Sequence, residues 1–244
     1  MNTRTGIIAA MESEIRDLST SLEHQGTETV AGREIRYGRL EGEPVALILC
    51  GCGKVNATLS ATLLAAHAKV SRILVTGVSG GLAEDLKVGD VVIGDAFLQH
   101  DMDARPLFPL HEIPFEGFSA IGADALLRNL LTEAARAMLL AERPPGLEEA
   151  RVFEGLVVSG DQFLSSSEAR NKVLGAIPKA SCVDMESAAI AQVCRAADLP
   201  LGVLRVISDS ADGSAHIDFA KFVEQSASKA CAETVRHALR ALAQ

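Results

Sequence analysis

The stretch Thr5-Gly6-Ile7-Ile8-Ala9-Ala10-Met11-Glu12-Ser13-Glu14-Ile15-Arg16-Asp17-Leu18 decides the fold class. Thr5 to Ala9 is a short apolar run suited to a strand buried on both faces, and Met11 to Leu22 carries apolar residues at helical spacing. A buried strand running straight into a helix is the repeating unit of an α/β sheet. The same alternation continues outward from it. Thr27 to Val30, Arg33 to Leu40 and Val45 to Cys50 are short runs separated by Ala-Gly and Glu-Gly-Glu-Pro turns, which predicts strands meandering antiparallel and hence a mixed sheet. Ala57 to His67 predicts a helix, Arg72 to Gly77 a strand, and Val88 to Gln99 an extended stretch interrupted at Gly94, with glycine-rich junctions that read as loops. From Asp101 to Gly122 periodicity vanishes, and Pro106, Pro109 and Pro114 collect among Leu107, Phe108, Ile113 and Phe115. A long apolar loop of this kind is usually functional or covered.

The second half predicts a helix over Ala123 to Leu140, a polar Pro-Pro-Gly linker near Pro144, and a strand over Val152 to Ser159. A helix over Ser167 to Ile177 follows, with Ser165 and Glu168 at capping-box spacing. Then come a strand at Cys182 to Met185, a helix at Glu186 to Ala197, a strand at Leu201 to Ser208, and a last helix with Phe219, Phe222, Val223, Ala227, Ala230 and Ala238 on one broad face. With 244 residues, 48% hydrophobic content and no repeat or linker between domains, the chain reads as one domain over residues 1–244. The expected architecture is a three-layer αβα sandwich around a mixed, twisted central sheet.

Charge and composition narrow the partners. The balance of 23 Lys+Arg against 32 Asp+Glu, a formal net of -9, repels phosphate backbones and anionic lipid headgroups, so neither nucleic acid nor a membrane is expected. The start has no cationic segment followed by a long apolar run, and no stretch reaches about 18 uninterrupted apolar residues, which predicts a soluble cytoplasmic protein. Cys50, Cys52, Cys182, Cys194 and Cys231 sit on apolar segments without C-x-x-C spacing and read as buried free thiols. Leu-Cys-Gly-Cys-Gly at the end of a strand simply needs small residues, and His100, Asp101 and Asp103 lack supporting histidine spacing, so no metal and no cofactor are expected. Gly77, Gly80 and Gly81 do not fit a dinucleotide fingerprint, Gly53-Lys54 lacks the phosphate-loop spacing, and no nucleophile elbow is present.

In open α/β sheets the ligand crevice lies at the carboxyl ends of the strands. Four strand ends carry candidate residues: Glu12 and Glu14; Thr76 to Gly81; Glu186; and Ser208 with Asp209. Each acid has a structural reading of its own. Glu12 and Glu14 fall in the first turn of a helix, where carboxylates interact favourably with the dipole. Asp209 can cap a turn with Asp212 and Gly213, and Glu186 can open a helix. Gathered at one sheet edge they can instead converge on a small ligand, which leaves a multi-carboxylate hydrolase or a binding protein.

Six ordered motifs, Gly6 to Glu14, Gly51-Cys52-Gly53-Lys54-Val55-Asn56-Ala57, Thr76-Gly77-Val78-Ser79-Gly80-Gly81, Ser159-Gly160-Asp161-Gln162-Phe163, Val183-Asp184-Met185-Glu186 and Arg205-Val206-Ile207-Ser208-Asp209, closely resemble the methylthioadenosine/S-adenosylhomocysteine nucleosidases. That family belongs to the nucleoside phosphorylase superfamily, so the resemblance implies a nucleoside phosphorylase-like fold. It implies that Glu14 is the catalytic glutamate that activates water, Glu12 being structural, and that Glu186 binds the ribose hydroxyls while Met185 packs against the sugar. Asp209 would protonate purine N7 with Ser208 in support, Phe163 would stack on adenine, and the backbone at Leu164 would read the base edge. Met11, Val78, Ser79 and Gly80 would complete the substrate pocket. In family dimers the segment matching Leu107, Phe108 and Pro114 helps wall the neighbour's 5'-alkylthio pocket, so a homodimer is implied.

Cleavage of such a bond passes through an oxocarbenium-like state, in which charge drains into the leaving base while water attacks opposite it. Asp209 would then act protonated and Glu14 ionised. Related phosphorylases place arginines near the first strand's end and the glycine-rich loop, where this chain has Ala-Ala-Met-Glu-Ser-Glu and Val-Thr-Gly-Val-Ser-Gly-Gly. A phosphate dianion would find no cation there and would face Glu14, which favours hydrolysis. Val78 stands where many relatives have Ser and Asp184 where many have Glu, departures that bear on substrate preference. The alternatives are a phosphorylase or another nucleosidase of the same fold, and a non-catalytic nucleoside-binding or storage protein; retention of Glu14, Glu186 and Asp209 together argues against storage.

Overall fold

The structure is a computed structural model that describes residues 4–211, 222 and 226–243. Strand β1 (Thr5–Ala9) is buried along its whole length and pairs in parallel with β4 (Glu43–Leu49) on one side and β5 (Arg72–Gly81) on the other. A strand with neighbours on both sides and helices on both faces has no wet side, which is why its sequence does not alternate. Beyond β4 the sheet turns antiparallel through β3 (Arg33–Leu40) to β2 (Glu23–Val30), so it is mixed, as expected. β2 begins four residues before the run that the sequence marks. Its Glu-His-Gln-Gly start lies at the exposed edge of the sheet, where a strand buries nothing and leaves no apolar pattern.

On the other side of β5 the sheet curls. β10 (Leu201–Asp209) pairs with β5 in parallel and with β6 (Val91–Gln99) antiparallel; β6 pairs with β8 (Val152–Ser159), β8 with β9 (Ala180–Asp184), and β9 returns to the end of β5. The five strands close on one another. β7 (Ala120–Gly122), inside the segment expected to be loop, adds a short antiparallel rung to β6, and β6 bulges at Gly94, where the sequence is interrupted.

Helices α1 (Glu12–Ser21), α3 (Ala125–Ala141) and α6 (Ser228–Leu242) cover one face around a core that includes Ile7, Leu18, Leu131 and Val235. Helices α2 (Lys54–Thr62) and α5 (Ser187–Ala196) cover the other around Ile8, Leu64, Ile73 and Ile190. These are the three expected layers, with α4 (Ser167–Ala176) packed over a smaller cluster that includes Leu98, Val158 and Leu164. Two helix starts differ from expectation. Gly53, at φ +96, caps α2, so the helix opens three residues before Ala57. α4 is capped by Ser166, whose hydroxyl accepts the Ala169 N–H at 3.2 Å, and the Ser165/Glu168 pair is one residue out of register for a capping box. In the last predicted helix, Phe222, Ala227, Ala230 and Ala238 pack into the first core, while Phe219 and Val223 lie outside the described residues. Among the described residues no helix is long and apolar enough to cross a membrane.

The largest correction concerns β5. The sequence ends this strand at Gly77, but it continues to Gly81, held by β10 through Gly80 and by β9 through Gly80 and Gly81. The glycines serve close approach instead of a turn: a Cβ on Gly77 would sit 2.5 Å from Glu14 Oε1 and 2.6 Å from the Arg205 guanidinium. β10 carries a complementary irregularity. Ile207 faces Ser79 and Asp209 faces Gly80, so Ser208 is an extra residue, a β-bulge.

Candidate active site

The parallel strands β1, β5 and β10 finish at one edge of the sheet, and β9 crosses the end of β5 there, with Val183 opposite Gly80. A cavity opens at that edge. Its walls are Met11 and Glu14 after β1; Val78, Ser79 and Gly80 of β5; Ser208 and Asp209 of β10; Met185 and Glu186 after β9; and Phe163 and Leu164 after β8. Every residue that the sequence assigns to the pocket of a single chain therefore lies on one cavity. Side chains alternate faces along a regular strand, so adjacent Ser208 and Asp209 reach the same cavity only because of the bulge. Leu107, Phe108 and Pro114 do not line it; Leu107 is 84% exposed and Phe115 beside them 93%, with Phe108 and Phe115 meeting edge to face at 5.0 Å.

Glu14 is buried, whereas Glu12, two residues away, is exposed to water and off the cavity. Glu14 Oε2 accepts the N–H groups of Ala10 at 2.9 Å and Met11 at 2.8 Å, and Oε1 accepts that of Val78 at 2.9 Å. The helix-start reading of Glu14 and its cavity role are thus met by one side chain. Burial pushes its carboxyl above the usual carboxylate range, opposed by the Arg205 charge and the three N–H donors. A carboxylate raised in this way takes up a proton more readily, which suits a general base.

Glu186 caps the start of α5 and accepts the Gly53 N–H on Oε1 at 2.9 Å. Burial, reinforced by neighbouring Asp184 and opposed by Arg205, pushes its carboxyl up to about 7. Asp209 is buried with both oxygens engaged: Oδ2 accepts the Ser208 hydroxyl at 2.8 Å and Oδ1 the Ala211 N–H at 2.8 Å. Asp212 and Gly213, the expected turn partners, lie outside the described residues; within them Asp209 does close a turn, through Ala211.

Sequence reasoning missed Arg205, a fully buried guanidinium beneath the site. It lies 2.8 Å from Asp184 and 3.6 Å from Glu186, and donates to the Ser187 hydroxyl at 3.0 Å. Burial opposes its charge, but Asp184, Glu186 and Glu14 outweigh that and raise its pKa further. Asp184 is the hub: its Oδ1 accepts the N–H groups of Glu186 at 3.0 Å and Ser187 at 3.1 Å as well as the Ser159 hydroxyl, and its Oδ2 accepts the Ser187 hydroxyl. A buried charge needs such pairing to be tolerable. The only sequence signal was a cation in the otherwise apolar run Leu201 to Ile207.

The cysteines also differ from expectation in one place. Cys50, Cys182, Cys194 and Cys231 are buried, but Cys52 is exposed and lines the cavity. Burial pushes the thiols of Cys182, Cys194 and Cys231 up to about 12, which keeps them protonated and inert.

A family model of the phosphorylase superfamily matches residues 4–240. The chain belongs to the phosphorylase superfamily. Within the superfamily, it is 33% identical to the solved 5'-methylthioadenosine/S-adenosylhomocysteine nucleosidase from Neisseria meningitidis in complex with methylthio-immucillin-A, with a TM-score of 0.89 over 98% of this chain and 99% of that one. The corresponding Streptococcus pneumoniae nucleosidase, with a transition-state inhibitor, gives 29% identity and a TM-score of 0.87 over 98% and 100% of the two chains. The futalosine hydrolase of Helicobacter pylori gives 30% identity and 0.86 over 97% of each. These superfamily members are hydrolases of nucleosides, and the chain is an N-glycosyl hydrolase of the same kind.

Proposed function

We propose that the chain hydrolyses the N-glycosidic bond of 5'-methylthioadenosine and S-adenosylhomocysteine, releasing adenine and the 5'-thio-substituted ribose. The observation that carries this reading is the meeting of Glu14, Glu186 and Asp209 on one cavity from three different strand ends. In the proposed reaction Asp209 protonates purine N7, Glu14 takes a proton from the attacking water, and Glu186 accepts hydrogen bonds from the ribose hydroxyls. Met185 packs on the sugar, Phe163 stacks on adenine, and the Leu164 backbone reads the base edge. Phe163 lines the cavity and is 50% exposed, which suits an aromatic ring that meets a base there.

Electrostatics favour water over phosphate as nucleophile. Among the described residues lining the cavity, Glu14, Asp184, Glu186 and Asp209 are acids and none is Lys or Arg, while the nearby Arg205 is already engaged by acids. A phosphate dianion would enter against four carboxylates with no free donor of positive charge. The test is chromatography of methylthioadenosine, S-adenosylhomocysteine, 5'-deoxyadenosine and a futalosine-like nucleoside after incubation with and without phosphate. Adenine release from the first two at equal rates in both buffers is expected. Ribose-1-phosphate accumulation, with no turnover in phosphate-free buffer, would reverse the assignment.

The same proposal makes the enzyme a cytoplasmic homodimer. Five free cysteines suit a reducing compartment. The cluster of Leu107, Phe108 and Phe115 beside Pro114 is a liability in water unless another surface covers it, and a second copy reaching the 5' end of the pocket would do so. Sedimentation at assay concentration is expected to show a dimer, and Phe115→Ser to weaken it. A fully active monomer would remove the idea.

A further inference from the structure

Three charged residues that the proposed reaction does not use meet just outside the cavity: Lys54 at the start of α2, Asp101 after β6 and Asp161 after β8. The Lys54 backbone N–H donates to Asp161 Oδ1 at 2.8 Å, the Asp161 N–H donates to Asp101 Oδ2 at 2.9 Å, and the Lys54 ammonium donates to Asp101 Oδ1 at 2.7 Å. The contacts close a triangle between three segments far apart in sequence. The ammonium also donates to Gln99 Oε1 at 3.1 Å, and Gln99 in turn donates to Gln192 on α5 at 2.9 Å. The Lys54 and Asp101 side chains are only 18% and 22% exposed, so water screens the pair less than an ordinary surface ion pair. Burial works against the Asp101 charge, yet Lys54 and the Asp161 N–H hold its carboxyl below the usual range.

None of the three lines the cavity, but Lys54 and Asp161 adjoin residues tied to its walls, and Asp101 joins those two. Gly53, directly before Lys54, gives its N–H to Glu186, the proposed ribose carboxylate. Gln162, Phe163 and Leu164, directly after Asp161, form the proposed base-side wall. Asp161 can close onto the α2 start because residue 53 is Gly: its φ is +96, and a Cβ there would lie 3.1 Å from Asp161 Oδ1. Residues 160 to 165 have no strand or helix ladder of their own; the clasp, together with the Gly160 N–H donated to the Asp184 carbonyl at 3.2 Å, relates this loop to the sugar side.

We propose that Lys54, Asp101 and Asp161 are positioning residues that fix the base-holding loop relative to Glu186, and thereby set the affinity for the nucleoside without touching it. The proposal rests on the cavity being a nucleoside site. Lys54→Met keeps the aliphatic stem and the backbone donor but removes the ammonium; Asp101→Asn keeps the size but cannot accept from both partners. Each is expected to raise KM for the nucleoside about 10-fold with kcat within about threefold, the pattern of binding lost equally from ground and transition states. The double variant should be little worse than the poorer single one, because both remove the same contact. Steady-state kinetics of the parent, the two singles and the double, with their melting curves, decide it. A lowered Tm with unchanged KM, or fully additive effects on KM, would overturn the clasp while leaving the function standing. A parent inert on every nucleoside would overturn both.

Discussion

Glu14→Gln is expected to lower kcat by about 10² to 10⁴, the range for losing a general base. Gln has nearly the shape of Glu but cannot take a proton from water, and it removes negative charge from beside a sugar that becomes cationic. The structure adds a second consequence. Both oxygens of Glu14 accept backbone N–H groups, from Ala10, Met11 and Val78, and an amide can offer only one oxygen. At least one N–H then faces an NH₂ group, at a cost of about 1–3 kcal/mol that relief of a buried charge partly offsets. The melting temperature should therefore fall modestly while inhibitor binding persists. Glu12→Gln is the control: its side chain is exposed in the first turn of α1, where a carboxylate contributes about 0.3–1 kcal/mol and no chemistry. A dead Glu12→Gln beside an active Glu14→Gln would show that the two glutamates have been assigned the wrong way round.

Asp209→Asn should be as damaging to kcat, by about 10² to 10⁴, yet nearly silent in stability. Here the surroundings can accommodate the amide. Its oxygen can keep the Ala211 N–H, its NH₂ can donate to Ser208, and the Ser208 hydroxyl can turn its own proton to the Ser79 carbonyl at 3.3 Å. What is lost is the proton for N7, so the leaving base keeps its developing negative charge. Adenine release and inhibitor affinity measured together separate the two effects. Near-normal turnover would sink the leaving-group mechanism.

The contrast between these residues also marks what the sequence can disclose. Strands β1, β3 and β8 were legible to the residue because burial on one or both faces writes itself into apolar runs, and the carboxyl ends of β9 and β10, which carry acids, were legible to within one residue. β2 was only partly legible because an exposed edge strand has no core to write a pattern. The second half of β5 was hidden because its glycines, which usually signal a turn, are there to admit Glu14 and Arg205. Arg205 itself looks like any cation on a strand until both faces of β10 are known to be covered. Lys54, Asp101 and Asp161 stand 47 and 60 residues apart in succession and share no local signal; only the packing of three loops brings them together.

The extra residue in β10 separates two kinds of inheritance. Loss of a single codon at position 208 would restore a continuous pleat, leave the pairing of β10 with β5 and β6 available, and keep the acid opposite Gly80 on the cavity face, but remove the hydroxyl beside it. The descendant chain would be free to fold and to bury the same core with one polar group where there had been two, its acid without the serine donor. In this scaffold one extra residue at the strand's end is therefore a way to add a second polar group to the cavity at little architectural cost.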